Sequence, residues 1–379
     1  METQKLYYEN CLLREFTAEV WDCREENGRF AVILSATAFY PEGGGQACDV
    51  GTLNDAQVLD VQEKDGEILH FCDRPLAVGT QIRGAIDWNR RFDLMQQHTG
   101  EHILSGIIHK KFGYHNVGFH MGNDVVTFDF DGEITPAALQ EIEQEANRVV
   151  WENLPVLCSI PSPQELPHIS YRTKRELPWP VRIVEIPGVD SCACCGVHLK
   201  YTGQVGLIKL LSCVKFHQGV RIEMVSGQRA YNYVNLIFGE NRKISHLLSA
   251  KMPETAQGVE ALQKAYQEEK FRSAGLKTRL FAAIAESYRH FVCPLHFEGP
   301  MTGGDLRELA EAIDKVCGGA IVCAGTDEAG YTVCILGEDA RGVGVRAAKA
   351  LNGRGGGKEN AYQGLFQASR AQIEAHFGQ

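Results

Sequence analysis

Two short pairs of potential metal ligands do most to limit what this chain can fold into. His98-Thr99-Gly100-Glu101-His102 sets two imidazoles four residues apart. Cys194-Cys195-Gly196-Val197-His198, nearly a hundred residues later, sets a thiol and an imidazole at the same spacing. On a helix, residues four apart share a face, so His98 and His102 can address one ion. Taken alone, that pair reads equally well as two surface or half-buried imidazoles. With the second pair near a turn, the two resemble a common way of assembling four zinc ligands. Any fold that uses all four must bring residues 98–102 and 194–198 together. Three nitrogens and one sulfur favour zinc over hard cations, which prefer carboxylate oxygen. Cys192 and Cys195 compete for the thiolate role, and Cys194 is preferred because it stands four before His198.

With 379 residues, 44% of them hydrophobic and 23% charged, the chain suits two or three globular domains. A net charge of −10 opposes nucleic-acid binding unless a local basic face exists. Arg90 with Arg91, and Arg172 with Lys174 and Arg175, are the candidates; the plainer reading of both is solvated surface. Thirteen scattered cysteines do not read as a secreted disulfide framework. Residues 1–16 show no signal peptide, and no apolar run reaches the roughly 18 residues of a spanning helix. A cytoplasmic protein with no membrane partner is expected.

Short strands are expected at 30–35, 58–61, 68–71 and 81–86, separated by turns. Residues 93–112 read as a helix stopped by Gly113. Strand 125–130 follows, then a helix to about 153, capped by Thr135 with Pro136 in its first turn. Strands at 181–186, 206–214 and 220–224 precede a helical region, 229–288. Beyond it come a helix at 306–316, strands at 320–324 and 331–336, a helix at 343–351, a Gly-rich loop at 353–357 and a last helix from about 363 to 376. The expected fold class is α+β. Its parts are a small β-barrel domain (1–88), a mixed α/β zinc-containing domain (89–228), a helical connector (229–288) and an α/β C-terminal domain (289–379).

Three motifs in this order resemble the editing domain of alanyl-tRNA synthetase, and most of all the standalone alanyl-tRNA editing proteins of the long type. They are Tyr40-Pro41-Glu42-Gly43-Gly44-Gly45-Gln46, the His98/His102 pair, and Cys194 to His198 followed by Tyr201-Thr202-Gly203-Gln204-Val205-Gly206. Gly353 to Gly357 with Ala361-Tyr362-Gln363-Gly364 is similar to the Gly-rich end of the DHH-associated domain. The resemblance implies a hydrolase that acts on alanine tRNA mischarged with serine, and often glycine, by cleaving the aminoacyl ester. Such editing is needed because a pocket built for a small side chain rejects a close analogue weakly. It also implies zinc ligation by His98, His102, Cys194 and His198, and no ATP-dependent charging.

The resemblance brings further expectations. The loop Gly43, Gly44, Gly45, Gln46 lies at the pocket, with Gln46 as a substrate hydrogen-bonding group; the plainer reading is a turn between strands. Thr99 helps shape the pocket, and His120 is a candidate pocket donor or a structural histidine. Glu101 stands where the synthetase commonly has Thr, so it orients a water, pairs with a ligand, meets the substrate amine, or simply faces solvent. Four protein ligands form a closed site, so zinc either acts directly after losing one ligand or organises the pocket. Two rivals remain: a tRNA-binding module with structural zinc, and a metallopeptidase using His98-x-x-Glu101-His102. The helical connector and C-terminal domain are a candidate homodimer interface.

Overall fold

The structure, a computed structural model, describes residues 2–173 and 179–378, so Lys174 and Arg175 of the second basic cluster lie outside it. The chain divides into two compact units, Met1–Lys243 and Ile244–Gln379. The divisions expected at 88, 228 and 288 are finer than these two.

The expected fold class needs correction. The chain is a mixed α/β structure with several sheets and helices, not a barrel domain followed by a separate zinc domain. In the first unit, strands Glu15–Glu26, Arg29–Leu34, Glu67–Cys72, Ala56–Lys64, Gly51–Leu53 and Gln81–Ile86 form a sheet closed on itself, in that order. Its inward side chains, Val20, Leu34 and Leu53 among them, belong to the same apolar cluster as Leu104 and Ile107 of the next helix and Ile222 beyond it. One core therefore runs through both expected domains, because the helix needs the strands to cover its apolar residues.

That helix is Trp88–Phe112. Asp87 caps it by accepting from the Arg90 N–H, and Gly113 ends it at φ +74°, a conformation glycine adopts without strain. Sixteen of its residues are buried, so it is covered on nearly all sides. A four-stranded sheet, Ile208–Phe216, Gly219–Ser226, Val126–Phe130 and Asn116–Met121 in spatial order, packs on it. A three-stranded sheet, Leu157–Ser159, Ile183–Ile186 and Asp190–Ala193, carries the second ligand segment. Helix Pro136–Glu152 has the expected Thr135 cap.

Arg91 is neither a basic face nor solvated surface. It is fully buried and forks onto Asp49, with further bonds to the carbonyls of Ala38 (2.6 Å) and Cys11 (3.3 Å). Asp49 also accepts from the Tyr40 N–H at 2.6 Å, which ties the helix to the segment preceding the glycine loop.

The second unit contains helix Thr255–Ser287 and a five-stranded sheet in the order Leu295–Glu298, Ala320–Thr326, Gly330–Leu336, Ala361–Phe366, Arg354–Lys358. Alternation along the strands supplies two cores. Val322 and Cys334 face helix Gly303–Cys317 and Phe281, while Ile321 and Val333 face helices Ala340–Ala350 and Arg370–Phe377. The Gly-rich segment expected as a loop is an edge strand, paired Gly356 to Gln363. The last helix begins at Arg370, not near 363, because Tyr362 and Phe366 are needed in the sheet core. Among the described residues no helix is long and apolar enough to cross a membrane.

His70 is fully buried in the first unit, bonded to the Thr37 hydroxyl (2.8 Å) and the Val32 carbonyl (3.0 Å). Burial pushes it down to about 4 from an ordinary 6.5. Below pH 6.5 the unfolded chain takes up a proton that the folded one refuses. Stability is therefore expected to fall as pH drops from 6.5 to 4, by up to roughly 3 kcal/mol. Denaturant titrations across this range should show that slope in the native protein and a shallower one in His70→Gln; equal slopes would contradict it.

Candidate metal centre

The two ligand pairs meet. His98 and His102 project from one face of the Trp88–Phe112 helix, and Cys194 and His198 follow strand Asp190–Ala193. One donor atom from each of the four lies within 4.8 Å of every other. Cys194 Sγ is 3.4 Å from both His98 Nε2 and His198 Nε2. Donors about 2.0–2.3 Å from a central zinc in tetrahedral array stand about 3.3–3.6 Å apart, so these spacings suit the ion. All three imidazoles are 2% exposed, burial that leaves such polar rings little water to bind.

The protonation pattern suits a cation too. Burial disfavours charge on Cys194, but the neighbouring His98 and His198, with hydrogen bonds from His102 and His198, outweigh it and hold the thiol well below its usual range. Burial, reinforced by His98, holds His198 well below the usual imidazole value and therefore neutral. Burial opposes a proton on His102 as well, yet its bonds to Asp190 and Cys194 raise it well above the usual range. A thiolate and neutral imidazoles are the ligand forms, and a bound cation would displace the remaining proton.

Each ligand segment is oriented from outside. Gln46 Oε1 lies 2.8 Å from His98 Nδ1 and accepts from the Val197 N–H at 3.1 Å, joining the glycine loop to both ligand pairs. The Thr99 hydroxyl accepts from the Leu199 N–H at 3.1 Å, locking the helix to the residue after His198. Asp190 Oδ2 stands 2.9 Å from His102 Nδ1, and Arg172 holds both Asp190 oxygens at 2.7 and 2.9 Å. Carboxylate–histidine pairs of this kind fix the ring and raise its basicity.

Neither rival cysteine joins the four. Cys192 clusters with His102 and Asp190, but burial pushes its thiol up to about 11, and Asp190 is engaged by Arg172. Cys195 is exposed, 3.7 Å from the Tyr40 hydroxyl, with its thiol raised by burial of the sulfur.

Glu101 does not face solvent. It is 6% exposed; its Oε1 accepts from Ser105 Oγ (2.5 Å) and Asn116 Nδ2 (2.6 Å), and its Oε2 lies 4.0 Å from His102 Nε2. Asn116 and Phe119 are three apart on one strand and would normally face opposite sides. A register shift opposite Asp129 and Phe130 changes that alternation. Asn116 thus reaches Glu101 while Phe119 stacks on His98 at 5.4 Å.

Gly44 and Gly45, at φ +59° and +82°, admit no side chain: a Cβ would stand 2.7 Å from Cys195 Sγ or 2.5 Å from the Phe119 ring. Gly43 and Gln46 exchange backbone hydrogen bonds, closing the loop. His120 is exposed on the Asn116–Met121 strand and is not among the four. Sequence reasoning missed Asp190, Arg172 as its clamp, and Phe119. An Asp four residues before Cys194 was the one available signal. Asp190→Asn is expected to lower zinc affinity 10- to 100-fold with little effect on folding; unchanged affinity in competition with a chelator would refute the orienting role.

Residues 3–90 match the family model described as tRNA synthetases class II (A), and residues 181–227 match that of the threonyl and alanyl tRNA synthetase second additional domain. An alanine–tRNA ligase of Thermofilum pendens is 31% identical over 97% of this chain, which spans 43% of that protein. Alanyl-tRNA editing protein Aarsd1 of Mus musculus is 29% identical over 96% of this chain and 94% of its own length. Alanyl-tRNA editing protein AlaX-L of Pyrococcus horikoshii is 34% identical over 66% of this chain and 64% of its own.

Proposed function

This chain is a homologue of the alanyl-tRNA editing proteins and of alanine–tRNA ligases over most of its length, and we propose that it is a zinc-dependent editing hydrolase. Its substrate on this reading is alanine tRNA carrying serine, with glycine as a second wrong amino acid, and the bond cleaved is the aminoacyl ester. The observation that carries the reading is the cluster of three buried histidines, His98, His102 and His198, with Cys194, half of it within the segment matched to the synthetase additional domain.

These four residues would hold the ion, which would supply a fixed template that organises the pocket around the substrate's end. Glu101 keeps Oε2 free of the Ser105 and Asn116 bonds that hold Oε1, so it is placed to accept a proton from the attacking water. Gln46 Nε2 is a buried amide donor without a partner among the described residues. Such a donor is costly unless a ligand completes it, and we assign it to the ester oxygen on which charge develops. Gly43, Gly44 and Gly45 are assigned to the substrate pocket through the loop they form, whose bare backbone packs on Cys195 and Phe119 and so presents Gln46 to the ligand cluster. Thr99 acts by holding the two ligand segments in register, and exposed His120 is assigned to the incoming RNA end. Four protein ligands make a closed set, so the organising role of the ion is favoured over direct attack.

Purified protein loaded with zinc is expected to deacylate serine-charged alanine tRNA and spare alanine-charged tRNA. Glu101→Gln should retain zinc and lose at least 100-fold in rate; Cys194→Ala should lose both. A zinc-replete protein that binds tRNA without cleaving either wrong ester would leave a binding module in place of an enzyme.

We also assign a homodimer contact to helix Thr255–Ser287. Val259, Leu262, Tyr266, Leu276 and Leu280 lie three or four residues apart in two groups and are each about half exposed or more. Sedimentation should show a dimer that Leu262→Glu with Leu276→Glu converts to monomer; a native monomer at micromolar concentration would refute it.

A further inference from the structure

The Trp88–Phe112 helix continues past the ligands, and beyond His102 it forms one wall of an open cavity of about 520 Å³. His109 and Lys110 line that wall, and His115 follows, its ring 5.1 Å from that of His109. Segment 170–173 forms another wall. It is held to the sheet by hydrogen bonds from the Arg172 N–H to the Ser191 carbonyl (2.8 Å) and from the Ala193 N–H to the Arg172 carbonyl (2.9 Å). Asp190, bonded to both Arg172 and His102, stands between the cavity and the ligand cluster. Gly106 lets the backbone at Val189 and Asp190 lie directly on the helix, since a Cβ there would be 2.5 Å from the Val189 carbonyl oxygen.

The lining has a definite chemistry. The volume is that of a small-molecule site. The chain as a whole carries −10, yet this cavity gathers Lys110, Arg172 and two imidazoles. Asp190 and Arg172 offset one another and exposed Glu185 offsets Lys110, so the lining offers an anion hydrogen-bond donors and not a net positive charge. Arg172 spends Nε and Nη2 on Asp190, and its Nη1 has no partner among the described residues. Lys110 Nζ touches only the Gly188 carbonyl, at 3.0 Å, among the described residues. Tyr171 adds a flat aromatic surface of the kind on which a base stacks.

We infer that this cavity is a second binding site, for the phosphate and base of one nucleotide, with Lys110 and Arg172 as its cationic contacts and Tyr171 as its stacking surface. The nucleotide comes either from the tRNA, which rests on the editing reading above, or from a free mononucleotide.

Calorimetric titration of the zinc-loaded full chain with adenosine 5′-monophosphate and with inorganic phosphate tests the site. Both should bind, the nucleotide more tightly. Lys110→Glu should weaken both at least tenfold, and Tyr171→Ala should weaken the nucleotide alone. No binding of either probe at millimolar concentration, or undiminished binding to Lys110→Glu, would overturn the inference. The source is read from deacylation kinetics. A KM for mischarged tRNA raised at least fivefold in Lys110→Glu, at unchanged kcat, identifies an RNA nucleotide. An unchanged KM with mononucleotide binding lost identifies a free one. If the native protein binds the mononucleotide but cleaves no charged tRNA, the editing reading falls and the cavity assignment stands.

Discussion

Three imidazoles and a thiol are packed into one water-poor knot between a helix and a turn, and the first unit is arranged around keeping them there. Such a set is unfavourable unless each group finds a partner, because buried polar groups without hydrogen bonds cost on the order of 1–3 kcal/mol each. His98 and His102 find theirs in Gln46, on the glycine loop, and Asp190, on a strand, on opposite sides in the sequence. The buried Nδ1 of His198 has none among the described residues. The Thr99–Leu199 bond then fixes the distance between the two ligand segments. The site thus depends on three chain-distant side-chain contacts converging on a single helix, which explains why that helix is buried on nearly every side.

Arg91 sets the same helix from its other end. It lies on the turns before His98, and its fork onto Asp49 orients the segment that leads into the glycine loop bearing Gln46. Removing one member of such a buried pair typically costs about 3–5 kcal/mol, because the other charge is left uncompensated. Pair and site are therefore linked through backbone: displacing Asp49 moves the loop that orients His98. Asp190 plays the matching part on the far side, where Arg172 holds it against His102.

Much of the site could be read from spacing. The i, i+4 pairs identified all four members of the cluster, and choosing Cys194 over Cys192 and Cys195 by its distance from His198 selected the sulfur that enters it. The Gly113 stop and the Thr135–Pro136 start were equally local signals. What was not legible depends on partners far away in the chain. Arg91 reads as surface until Asp49, 42 residues earlier, is seen to meet it. Asn116 reaches Glu101 only because of a register shift that no composition announces. Gly353 to Gly357 carries loop chemistry but gains order by pairing with the strand 361–366, whose Tyr362 and Phe366 fill the core. The separate-barrel reading failed for a related reason: strand spacing shows that strands exist, not that a helix outside them will share their core.

X-ray absorption at the zinc edge, on protein purified without chelators, tests the central claim most directly. The account requires one zinc per chain, with about three nitrogens at roughly 2.0–2.1 Å and one sulfur at roughly 2.3 Å. A shell made only of oxygen and nitrogen, or two or more sulfurs on the ion, would contradict it.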